Sequence, residues 1–211
     1  MSKRAYGGVS AQQRKEQRRA ALLDAALETI GTQGFSSLSV LGLSRATGLN
    51  DRYFAESFDS REDLFSALID RMLEELAALV AAALLASERD LRSKMRAAVG
   101  AAIEYLTDDP RKARVALIEA PAVAVVNQRR REVIDFLANV VRVQLDEHFG
   151  VVRSQRMTEA LRFVEVHAFG GLMEAVTLWL DGGLEVTRDE LIDRSADLMV
   201  VLVEHVYAQG L

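Results

Sequence analysis

Arg52 and Tyr53 stand just past Gly48 and Asn50 in the stretch RATGLNDRYFAESF, residues 45–58. Glycine supplies the positive φ that a tight turn between two helices needs. Asparagine caps the helix that follows by accepting from an N–H two or three residues on. An arginine and a tyrosine at the start of that helix offer a planar cationic fork and a phenolic hydroxyl. Those groups suit phosphate oxygens and base edges rather than bond-breaking.

No other grouping of reactive residues reads as catalytic. The chain has no cysteine, which excludes disulfides, thiolate metal sites and cysteine nucleophiles. Its histidines, His148, His167 and His205, fall on three separate helical segments. None sits in the Glu-x-x-His or His-Glu-x-x-His spacing that places ligands on one helix face. Gly170-Gly171 and Gly182-Gly183 lack the context of a phosphate loop. No catalytic residue, metal or cofactor is expected. Glu165, His167 and Glu174, with Phe169 and Met173 between them, lie on the most apolar segment of the chain. Buried polar groups need partners, so these residues are either ligand contacts or hydrogen-bonded members of a dimer seam. Glu104, Glu119 and Asn127 carry the same two readings. Trp179 reads as core, interface or ligand clamp. Arg129-Arg130-Arg131 reads as a solvated charge run or a site for an acidic ligand.

Helices must position all of these. Apolar residues recur at three- and four-residue spacing nearly everywhere, and only two prolines interrupt them. The chain is expected to be all-α. A first helix spans 13–30, with Leu22, Leu23, Ala26, Leu27 and Ile30 as its stripe, and Gly31 and Gly34 ending it. Ser39 caps a second, with Val40, Leu43 and Ala46 inward. The third spans 51–57, with Phe54 and Phe58 on its buried side. Two short helices around a glycine turn make a helix-turn-helix. Ser60 caps a long helix over about 61–85, and further helices span 90–106 and 110–121, the latter opened and closed by proline. Others follow over 122–149, with Gly150 as stop, over 155–181, and from the Thr187-x-x-Glu190 capping box onward. The segment 155–181 is apolar nearly all round, which predicts burial on several sides. The last two helices carry more apolar surface than one small chain can bury, so they are expected to pair with a second copy as a four-helix bundle. The expected divisions are a basic tail (1–12), a helix-turn-helix domain (13–59), and a helical effector-binding and dimerisation domain (60–211).

Charge follows the same division. Of the 211 residues, 1–61 carry nine Lys/Arg against six Asp/Glu, whereas 62–211 carry 17 against 25, for a net −5 overall. A basic head on an acidic body fits a polyanion binder with a second task. The longest charge-free run near the middle, Leu76 to Ser87, is shorter than the roughly 20 residues of a membrane span. The basic, polar start has no apolar core of a secretory signal. A cytoplasmic protein without a membrane partner is expected.

From about Arg18 to Phe65 the sequence resembles the tetracycline-repressor-like (TetR/AcrR) family of bacterial transcription regulators. Gly34-Phe35, Val40, Leu43, Ala46, Gly48, Phe54, Phe58 and the closing Ser60-Arg61-Glu62-x-Leu64-Phe65 carry the resemblance. It departs at Ala55, where the family usually has a tyrosine, and at Ser57, where it often has a histidine. The resemblance implies a homodimer that reads a near-palindromic double-stranded operator and is released as a repressor by an unknown small-molecule effector. Arg18, Arg19, Ser39, Arg45, Asn50, Arg52, Tyr53 and Arg61 would contact DNA. Glu104, Glu119, Asn127, Glu165, His167, Phe169, Met173 and Glu174 are the candidate effector contacts. A protein–protein adaptor with a degenerate helix-turn-helix, and an enzyme using the bundle cavity, are the rival classes.

Overall fold

A computed structural model describes residues 10–150 and 154–209. The described residues are helical throughout, with no strand. The head comprises α1 (Ala11–Gln33), a 3-10 turn (Phe35–Ser37), α2 (Val40–Thr47) and α3 (Asp51–Ala55). The body comprises α4 (Arg61–Ala86), α5 (Leu91–Thr107), α6 (Pro110–Arg114), a π-type turn (Val115–Glu119), α7 (Ala120–Ala122), α8 (Ala124–Phe149), α9 (Gln155–Leu180) and α10 (Arg188–Ala208).

Local chemistry sets most boundaries. Ser39, Asn50, Ser60 and Thr187 each accept a hydrogen bond from a backbone N–H in the first turn of their helices. Gly48 and Gly150 take the left-handed conformation after α2 and α8, where a side chain would be strained. The first helix starts earlier than periodicity predicts, because Ser10 and Gln13 close a capping box. Residues 10–12 are therefore structured rather than tail; the basic Lys3 and Arg4 lie outside the described residues. The helix opened by Pro110 ends close to Pro121, as expected. Pro121 lies one residue before the end of the helical run that continues from Pro110 through the π-type turn to Ala122, and the chain breaks at extended Val123.

The head core is Leu22, Leu23, Ala26, Leu27 and Ile30 of α1 against Leu38, Leu43, Phe54 and Phe58. Leu64, Phe65 and Leu68 of α4 complete it and carry the same core into the body. Ala46, expected inward, is exposed, because α2 is too short to bury more than one turn.

A second join lies between α1 and α6. Gly31 is inside α1 rather than at its end. A Cβ on Gly31 would fall 2.4 Å from Cβ and 2.8 Å from Cα of Arg111. Glycine is needed there so that α6 can approach. Gly31→Ala should therefore destabilise the fold by about 1–3 kcal/mol through overpacking, although alanine gains up to about 1 kcal/mol over glycine in an ordinary helix interior. Thermal unfolding checks the sign.

The helix α9 departs most from expectation. Only Met157, Leu161, Leu172 and Val176 of it are buried within the protomer. Phe163, Val166 and Leu178 are exposed, as are Leu198 and Val201 on neighbouring α10. A Cβ on Gly170 or Gly171 would meet nothing. By length and composition α9 is also apolar enough to cross a membrane, against the expectation from charge-free runs. Its apolar surface faces outward because the body uses only one side of the helix.

Candidate nucleic-acid interface and internal cavity

The exposed face of the head gathers most of the residues expected to touch DNA. Asn50 Oδ1 caps α3 by accepting from Tyr53 N at 3.3 Å, leaving its amide NH2 free to donate. Ser39 Oγ accepts from Gly42 N at 3.1 Å, leaving its hydroxyl proton for an oxygen beyond the helix end. Tyr53 is partly covered by Arg18, whose guanidinium carbon sits 4.4 Å from the ring centroid, and Arg19 stacks similarly over Phe58 at 4.6 Å. These cation–π contacts hold two arginines of α1 beside α3. Arg45, at the end of α2, is exposed.

The arginine of α3 is already paired. Arg52 Nε lies 2.8 Å from Glu56 Oε1, with the arginine side chain 82% exposed. An exposed i,i+4 pair is worth only about 0.3–0.5 kcal/mol, so a phosphate or guanine can take Arg52 from Glu56 at little cost. Asp51, the other acid on α3, accepts from Ser44 Oγ at 2.6 Å and ties α3 to α2.

Arg61 is placed differently. Its Nη1 donates to the Leu38 carbonyl at 2.7 Å, and its guanidinium lies 5.6 Å over the Phe35 ring. It is half-buried and clamps the chain leading into α2. One of its nitrogens thus serves the fold.

Glu119 is also displaced from its expected place. Its Oε2 accepts from Phe35 N at 3.0 Å, and its Oε1 lies 3.3 Å from Arg114 Nε. Arg114 Nη1 donates to Thr32 O at 3.0 Å. Arg111 pairs with Glu28 of α1 at 2.7 Å and with Asp109 at 2.7 Å. The hydrogen bond from Arg111 holds the Asp109 carboxyl below its usual range. Together these bonds form a polar seam between α1 and the α6 region. Glu119 is a joint residue, not a cavity residue.

The body holds a cavity of about 170 Å³. Apolar side chains of α4, α5, α8, α9 and α10 line it, Met72, Leu76, Phe169, Leu172 and Met173 among them. Of the expected effector contacts, Glu165, Phe169 and Met173 line the cavity. Their i,i+4,i+8 spacing puts them on one face of α9. Glu104, His167 and Glu174 are exposed and stand outside it. His167 Nδ1 lies 2.8 Å from the Phe163 carbonyl oxygen, on the outward stripe of α9. Asn127 is half-buried in the first turn of α8, also away from the cavity.

Among the cavity residues that sequence reasoning missed, three lie beside the seam or carry polar groups. Ala116 belongs to the π-type turn of the seam, Tyr105 to α5 and Arg142 to α8. Tyr105 Oη donates to Glu75 at 2.7 Å, and burial together with that bond raises the phenol's pKa. Arg71 lies 3.8 Å from Glu75 and donates to Asp24 of α1 at 2.6 Å. The cavity wall thus reaches α1 twice, through Ala116 and Glu119 and through Tyr105, Glu75 and Arg71. Nothing local marks Tyr105 or Arg142 in the sequence. Among the described residues no group of His, Asp or Glu could hold a metal ion.

Residues 22–68 match the family model described as "Bacterial regulatory proteins, tetR family". No curated protein matches the chain in sequence. Among solved structures, the chain is similar to the fatty acid degradation regulator FadR from Bacillus halodurans (TM-score 0.72, 20% identity, covering 86% of this chain and 94% of that one). It is similar to the regulator FadR from Bacillus subtilis in complex with stearoyl-CoA (TM-score 0.73, 19% identity, 86% and 97%). A tetR-family transcriptional regulator from Streptomyces coelicolor also matches (TM-score 0.66, 20% identity, 92% and 89%). The chain has the all-α fold of tetR-family transcriptional regulators, and its N-terminal segment carries that family's sequence pattern.

Proposed function

We propose that this chain is a DNA-binding repressor that acts as a homodimer and leaves a near-palindromic operator when a small molecule fills its cavity. The carrying observation is the coupling of two places: a head face presenting Ser39, Arg45, Asn50, Arg52 and Tyr53, and an apolar cavity whose wall is linked to α1 through Tyr105, Glu75 and Arg71 in turn. The helix-turn-helix domain (13–59) would enter successive major grooves about 34 Å apart, and the remainder (60–211) would bind effector and partner. The outward apolar stripe of α9 and α10 would be the dimer face, covering Phe163 and Val201; His167 and Glu174 would then stand at that seam. Operator binding would place the protein in the cytoplasm. The reading assigns no catalytic residue.

The apolar lining supports an effector with an aliphatic body, as does the likeness to a regulator solved with stearoyl-CoA. Filling the cavity would press on Ala116 and Tyr105. Glu119, on the same turn as Ala116, and Glu75 with Arg71, bonded in turn from Tyr105, would shift Phe35 and Asp24, tilting the head. A coupling of about 1–3 kcal/mol would change operator affinity roughly 5–150-fold.

Fluorescence anisotropy with DNA from upstream of the protein's own gene tests the first part. Binding should weaken steeply with salt. Arg52→Ala with Tyr53→Ala should weaken it about 30-fold or more, since each lost contact is worth ~1 kcal/mol or more. Undiminished binding by the double variant would refute the assignment of α3 as the reading helix.

A further inference from the structure

We infer that two copies of α9 cross antiparallel with the two-fold axis between Gly170 and Gly171, so that His167 of each protomer pairs with the partner's Glu174. This rests on the proposed homodimer and names the register of its seam.

Two adjacent glycines stand inside α9, although glycine weakens a helix interior relative to alanine. Both are exposed, and a Cβ on either would meet nothing in the protomer. The fold of one chain therefore gains nothing from their missing side chains. A second helix laid across them does gain, because its backbone can approach there unobstructed.

The exposed residues around the glycines are complementary to themselves. In a two-fold contact, residue i meets j and j meets i. With the axis between Gly170 and Gly171, facing residues stand equally far from it on opposite sides. Phe163 then meets Leu178, and these are 67% and 43% exposed in the protomer. Val166, 61% exposed, meets Ala175. His167 meets Glu174, both of them exposed. Apolar groups thus fall on apolar groups and the one basic residue falls on the acid. His167 Nδ1 lies 2.8 Å from the Phe163 carbonyl oxygen, and the two rings are 4.2 Å apart. Those contacts fix the imidazole and leave Nε2 for the partner. Among the described residues neither Nε2 nor the Glu174 carboxylate has a bonded group.

Other arrangements of the same stripe lose this match. Moving the axis one turn to His167 sets imidazole on imidazole and lays Phe163 over Gly171. Moving it one turn the other way sets Glu174 on Glu174 and lays Leu178 over Gly170. A parallel pairing brings each residue against its own copy, so that carboxylate meets carboxylate. Charge complementarity selects the antiparallel crossing at the glycines.

Cysteine cross-linking of the full-length protein tests the register, and the chain has no cysteine of its own to interfere. Positions 167 and 174 of one helix are separated by about 10 Å along its axis, too far for a disulfide within the chain. His167→Cys together with Glu174→Cys should therefore give a covalent dimer on mild oxidation, whereas each single variant should stay uncross-linked. Charge exchange gives a second readout by sedimentation equilibrium, with folding checked by thermal melting. His167→Glu alone and Glu174→Lys alone should each weaken the dimer about five-fold or more, since symmetry repeats the unfavourable contact. The two changes combined should return it to within about three-fold of the native protein. A dimer that is not cross-linked in the double cysteine variant, that is cross-linked as readily by His167→Cys alone, or that is no tighter in the combined charge variant than in the single ones would overturn the register and leave the dimer reading standing. A native protein that sediments as a monomer would remove the dimer reading, and the inference with it.

Discussion

Phe163→Glu combined with Val201→Glu is expected to turn the proposed dimer into monomers and to abolish tight binding to the proposed operator. Both residues are large, apolar and mostly solvent-exposed in the protomer, at 67% and 61%. They sit on adjacent helices, beside a pair of glycines whose missing side chains leave open space. Closing a two-fold axis over this surface would bury each residue twice, making four buried positions. At ~1.5 kcal/mol for each, the lost association energy is about 6 kcal/mol, or roughly four orders of magnitude in dimer dissociation constant. Unpaired carboxylates placed in the seam would add to that. Sedimentation velocity should show a monomer at micromolar concentration, and a two-half-site operator should bind far more weakly because one head cannot hold both grooves. Leu85→Glu is the control. Leu85 is 87% exposed near the end of α4 and is not on the α9–α10 stripe, so its replacement should leave the proposed dimer intact. A double variant that still sediments as a dimer would show that the outward stripe has another purpose.

The second large effect is expected at Phe65. This side chain is fully buried in α4 and stacks on Phe35 with ring centroids 5.1 Å apart. Phe35 is also the residue whose N–H Glu119 holds and whose ring Arg61 covers. Phe65→Ala leaves a cavity where head and body meet and should cost about 3–5 kcal/mol, a large share of the roughly 5–15 kcal/mol that holds a domain folded. The melting temperature should fall by roughly 10 °C, at about 2–4 °C per kcal/mol for a chain of this size. Phe65→Leu, which keeps most of the volume, should cost much less. Urea unfolding measures both. A loss below ~1.5 kcal/mol for the alanine variant would mean that the head packs on the body by some other contact.

Much of the candidate interface was legible without coordinates because it is local. Ser39, Gly48, Asn50 and Ser60 act on backbone groups two or three residues away, so their types and spacing carry their roles. The Leu22 to Ile30 stripe follows from helix geometry alone. Even the overlooked start of α1 had a local signature, the Ser10-x-x-Gln13 capping box. The sequence also picked out Glu165, Phe169 and Met173 as effector candidates on α9. It could not tell which face turned inward, so His167 and Glu174 were grouped with them although they point out.

What the amino-acid order determined by itself is thus the all-α class, the helix ends, the glycine turn and the set of polar groups standing on α3. Only the tertiary structure decided that Glu119 reaches Phe35 across 84 residues, that Arg61 donates to the Leu38 carbonyl, that Gly31 makes room for α6, and that Arg142 meets Glu165 inside the cavity. The reason is physical. Caps and turns are settled by sterics and hydrogen bonds within one helical turn, whereas a seam or a cavity depends on which faces of distant helices come to rest against each other, and that depends on the packing of the whole chain.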